Sequence, residues 1–91
     1  LECVGEIVAI GDGVRHLKIG DPGIAVATGS FSQYVTVNAK LVTKKPELSD
    51  FEGATIPGAF LTAYYTLHHL AKLKTGERVL IHAAAGGVGL A

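Results

Sequence analysis

Ninety-one residues, eight basic and eight acidic side chains and a net charge of zero leave room for one small domain with a modest core. With no basic patch and no run of like charge, nothing in the chain draws nucleic acid or an anionic membrane surface electrostatically. The single cysteine, Cys3, has no internal disulfide partner, which fits a reducing compartment and a buried thiol packed as a small hydrophobe.

The front of the chain reads as β structure. Residues 3–10, "CVGEIVAI", are apolar on both alternating faces apart from Glu6, which predicts a strand packed on both sides. Gly11-Asp12-Gly13 turns the chain. Asp21-Pro22-Gly23 offers Pro for a fixed φ and Gly for a positive one, so a type II turn is expected there, with the next strand opening at Ile24. The β-branched and aromatic run "FSQYVTVN", residues 31–38, predicts another strand, continued briefly over Leu41 to Thr43 before Pro46. Several short strands between Gly and Pro turns suggest part of a barrel or sandwich, with too few strands to close it.

The pattern changes at Ser49. Ser49 and Glu52 have capping-box spacing, which predicts a short helix before Pro57. From Ala59 to Leu73 the apolar series Phe60, Tyr64, Leu67 and Ala71 recurs at helical spacing. Gly76 in "KTGE" is expected to stop that helix, and "VLIHA", residues 79–83, reads as a buried strand of a parallel sheet. The weakly polar stretch 79–91, interrupted by His82, is shorter than the roughly 20 residues that cross a bilayer.

Strand, small-residue turn and helix start, in that order, are the context of a dinucleotide fingerprint. Gly86 and Gly89 stand at the second and third glycines of GxGxxG, where backbone approaches a pyrophosphate and helix packs closely on strand, while Ala84 stands at the first. Spacing alone leaves a nucleotide turn and a plain tight turn both open.

"HAAAGGVG" at 82–89, "FLTAYYTL" at 60–67, "GEIVAIG" at 5–11 and "GD" at 20–21 together resemble the medium-chain dehydrogenase/reductase superfamily. Within it the chain is most similar to the enoyl reductase domains of modular polyketide synthases, with quinone oxidoreductases next. The family form of the motif is AxxGxxG, which Ala83, Gly86 and Gly89 fit.

The resemblance implies a mixed β and α/β fold: the C-terminal part of a GroES-like β-barrel domain over residues 1–48, then the first helix, strand and turn of a Rossmann cofactor-binding domain over 49–91. The chain is then a truncated piece. It implies NADPH as cofactor, an enoyl thioester on an acyl carrier protein as substrate, neighbouring polyketide synthase domains as partners, and a cytoplasmic parent that could be a homodimer. By the same resemblance Thr62 falls near the nicotinamide end, and Ala85, Gly86, Gly87, Val88 and Gly89 fall along the pyrophosphate.

Each candidate has a plainer reading beside this one. Thr62 could equally bond back to its own helical turn. Tyr64 and Tyr65 read as core or cleft packing, His82 as a structural histidine, and His16 as a loop residue without a signal.

Zinc alcohol dehydrogenases carry a His where this chain has Leu1, before the position matched by Glu2, and a cysteine-rich lobe where this chain has Cys3 alone. A tetrahedral site needs three or four converging ligands, and adjacent His68 and His69 leave a helix on different sides. No metal site is therefore expected among these residues, and the resemblance, which implies proton donors elsewhere in the family's domains, assigns no catalytic acid here. Pro22-Gly23, Gly53 and Gly58 depart from the family pattern, and each glycine inside an element costs about 0.5–1 kcal/mol. They keep a non-catalytic remnant in view beside a free-standing quinone oxidoreductase. With one strand of the nucleotide sheet, the isolated chain is expected to bind no cofactor and to be inactive.

Overall fold

The computed structural model describes all residues, Leu1–Ala91, and divides into two compact units, Leu1–Pro57 and Gly58–Ala91.

In the first unit, strands β1 (Glu2–Glu6), β2 (Pro22–Val26) and β3 (Val42–Lys44) form an antiparallel sheet with β2 in the middle. Glu2 faces Val26, Val4 faces Ile24 and Glu6 faces Pro22, while Ile24 also faces Thr43. The small core is made of Ile24 and Ala25 on the central strand, Ala27 just after it, and Leu17, all buried. Cys3, on β1 opposite Ala25, is half-buried rather than fully enclosed.

The strand expected over 3–10 ends at Glu6. Its partner chain turns away at Gly20, whose φ of +92° suits glycine. Ile7 still donates to the Asp21 carbonyl at 2.9 Å, but Val8 and Ile10 beyond it are exposed, so two-sided packing does not extend to them. The turn itself lies at Lys18–Asp21 instead of at Asp21-Pro22-Gly23. Asp21 N–H donates to the Lys18 carbonyl, and the Asp21 carboxylate accepts from Lys18 N–H at 2.9 Å. Pro22 instead opens β2, a position where its missing N–H is tolerated.

No strand forms over residues 31–38. Ser32 donates its hydroxyl to the carbonyls of Gly29 and Tyr34, and Ser30 to that of Ala27, local bonds that compete with a sheet ladder. A short 3-10 turn, Ala39–Leu41, capped by the Asn38 side chain on Lys40 N–H, leads into β3. His16 has a role that its sequence context did not indicate. Its Nε2 lies 3.0 Å from the Ala39 carbonyl and 3.2 Å from that of Val42, tying the loop after β1 to the entry of β3.

Helix α1 (Asp50–Ile56) starts with the expected capping box. Ser49 Oγ accepts from Glu52 N–H at 3.2 Å, and the Glu52 carboxylate accepts from Ser49 N–H at 2.9 Å. The Ser49 amide first, and second the Ser49 hydroxyl, which donates to the Glu52 carboxylate at 2.9 Å, hold the Glu52 carboxyl below its ordinary pKa. Asp21 is lowered too, first by Lys18 N–H and then by Lys44, whose Nζ lies 3.4 Å away.

Gly53 faces inward on α1. A Cβ there would meet Val4 Cγ2 at 3.0 Å and Lys45 Cδ at 3.2 Å. Lys45 is held nearby by Asp50 at 3.3 Å and donates to the Leu48 carbonyl. The glycine at this position therefore lets helix and strand approach.

The helical run continues from Pro57, the last residue of the first unit, into the second. Pro57–Leu61 and Tyr65–Leu70 are wound in wide, π-type turns on either side of α2 (Thr62–Tyr64). The expected helix over 59–73 is thus present but stops at Leu70. The stop is not Gly76: Lys72 takes the left-handed conformation, φ +51°, and Gly76, φ +87°, belongs to the next turn, where Glu77 N–H donates to the Lys74 carbonyl at 3.1 Å. Residues 79–83 form no strand, and Val79, Leu80 and Ile81 are exposed. A parallel strand exists only through its neighbours, and no residues of this chain pair with this one. No helix is long and apolar enough to cross a membrane.

Candidate functional site

The glycine turn is the most constrained part of the second unit. Residues 82–85 turn, with Ala83 left-handed at φ +51°, and Gly86 N–H donates back to the Ala83 carbonyl at 2.9 Å. Gly86 is then extended (φ −79°, ψ 169°) and serves as the N-cap of α3 (Gly87–Leu90). Leu90 N–H closes the first helical turn on the Gly86 carbonyl at 2.9 Å, and Ala91 follows on that of Gly87 at 3.2 Å.

The three glycines of this segment are not equivalent. A Cβ on Gly89 would lie 2.5 Å from the Ala83 carbonyl oxygen, 2.6 Å from Ala84 Cα and 2.8 Å from the Ala84 carbonyl carbon, all backbone atoms. On Gly86 it would stand 3.2 Å from the Ala83 oxygen, and on Gly87 it would meet nothing within 4 Å. Gly89 is thus where helix and incoming chain touch, the part ascribed to the third glycine of the fingerprint. Gly87 leaves open space instead. No side chain caps the start of α3, so the first-turn amides of Gly87, Val88 and Gly89 keep the donor character of a helix start.

Beside the turn runs an open, mainly apolar groove lined by Ala63, Thr66, Leu67, His82, Gly86 and Val88, among others. His82, which read as structural, lines this groove, as does Thr66, which the sequence did not single out. Their signal lies in spacing: Ala63, Thr66 and Leu67 share one helix face at i, i+3 and i+4. Thr62 is not among the lining residues. Its hydroxyl donates to the Gly58 carbonyl at 2.6 Å, back into its own turn.

Tyr64 and Tyr65 are exposed, and each pairs with a histidine one turn on: Tyr64 with His68 at 4.8 Å between ring centroids, Tyr65 with His69 at 5.1 Å. The two histidines therefore follow separate tyrosines. No three His, Cys, Asp or Glu side chains come together as a metal site would require.

A sharp small-residue turn leads into a helix start here, with a backbone-to-backbone approach at Gly89. The chain superimposes on the CurK enoyl reductase with a TM-score of 0.88 and 48% identity, over 98% of this chain and 27% of that one. For the human synaptic vesicle membrane protein VAT-1 homolog-like protein the values are 0.85 and 40%, over 97% and 29%.

The chain is also similar to short stretches of polyketide synthases. It is 45% identical over 91 residues to the pikromycin polyketide synthase component PikAII of Streptomyces venezuelae and 48% identical over 92 residues to highly-reducing polyketide synthase 1 of Aureobasidium melanogenum. The matches take in 99% and 100% of this chain but span only 2% and 4% of those proteins. No protein-family model matches.

Proposed function

We propose that this chain is a segment of an enoyl reductase domain of a polyketide synthase, NADPH-dependent and free of zinc, acting in the cytoplasm on an enoyl thioester carried by an acyl carrier protein. Residues 1–48 then belong to a GroES-like barrel and 49–91 open a Rossmann domain. The observation that carries this reading is the glycine turn, in which a backbone contact at Gly89 sets α3 against Ala83 and Ala84. Likeness to solved enoyl reductases and to polyketide synthases, themselves multidomain proteins, supports the reaction and the neighbouring domains.

The residues present fit a dinucleotide. Amides at Gly87, Val88 and Gly89 supply uncapped donors for an anionic pyrophosphate, Ala85 and Gly86 keep the approach free of bulk, and Gly87 leaves room for close contact. NADPH, when bound, supplies the hydride for the β-carbon of the enoyl thioester. Thr62 is assigned to the nicotinamide end, which requires its hydroxyl to exchange the Gly58 carbonyl for the cofactor. No side chain of this segment is assigned as the proton donor to the α-carbon, and the isolated segment is inactive.

The test is reduction of a short enoyl-pantetheine by the full-length protein, followed through NADPH consumption, with and without a zinc chelator. Turnover that survives the chelator, with a KM for NADPH raised at least tenfold by Gly86→Val, is the expected result. No NADPH consumption by the unmodified protein overturns the proposal, and loss of turnover on chelation overturns its zinc-free part.

A further inference from the structure

We draw no further inference here: the strongest candidate, the open groove of the second unit between the helix face of Ala63, Thr66 and Leu67 and the exposed apolar run Val79, Leu80 and Ile81, belongs at its glycine end to the site already described, and nothing in the structure shows what covers the rest.

Discussion

Replacing Gly89 by alanine tests the glycine turn at its tightest point. The added methyl carbon would sit 2.5 Å from the Ala83 carbonyl oxygen, and contact becomes ordinary only at 3.4 Å, so α3 and the incoming chain must part by about 0.9 Å. The opposing atoms are backbone, including Ala84 Cα at 2.6 Å, so no side-chain rotation relieves the overlap. Overpacking of this kind costs about 1–3 kcal/mol. Against it stands the helix preference for alanine over glycine, at most about 1 kcal/mol, and less at the end of the four-residue α3. The overlap wins, with a net loss of about 1–2 kcal/mol.

For a domain of a few hundred residues that loss lowers Tm by roughly 2–8 °C. Gly87→Ala, two residues earlier in the same helix and facing open space, is the matched control and leaves Tm unchanged or slightly raised. The assay is thermal unfolding of the full-length protein without cofactor, followed by circular dichroism. Equal melting of the two variants would refute the assignment of Gly89 as the contact that sets the turn.

Other consequences concern the sheet unit. Gly53→Ala sets the same helix gain against overlap with Val4, a branched side chain fixed on β1, and with the tethered Lys45 stem, and is expected to destabilise by about 1 kcal/mol; a rise in Tm would contradict it. Ser49→Ala removes the hydroxyl half of the capping box and costs about 1 kcal/mol by urea unfolding. His16→Phe gives up the bonds to the Ala39 and Val42 carbonyls and loses about 1 kcal/mol, read by the same unfolding curves.

The carboxyls of Asp21 and Glu52 are lowered by folding from 3.8 and 4.5, so their contribution is complete above those values and disappears as pH falls through the lowered ones. Asp21→Asn should therefore flatten the acid limb of the stability–pH profile. An unchanged limb would show that its bonds to Lys18 and Lys44 carry no weight.

Features whose partners lie within a few residues were legible in the sequence. The Ser49–Glu52 capping box forms as its spacing indicated, because both bonds close within three residues and need nothing else from the fold. The order and spacing of Ala83, Gly86 and Gly89 likewise fixed where a sharp turn into a helix would fall. Strand limits were not legible, because a strand is defined by what it pairs with. β1 stops where Gly20 turns its partner away, β2 takes Pro22 into its first position, 31–38 spends the Ser32 hydroxyl on local bonds, and 79–83 has the composition of a strand but no neighbour.

The glycines divide in the same way. Sequence marked Gly53 as a departure and assigned close packing to Gly89 as the third glycine of the motif; only the tertiary structure shows that Gly53 too faces a close contact and that Gly87 faces open space. The physical reason is that hydrogen bonds across a turn depend on chain spacing, which sequence contains, whereas the room for a methyl group depends on atoms brought together by the rest of the fold.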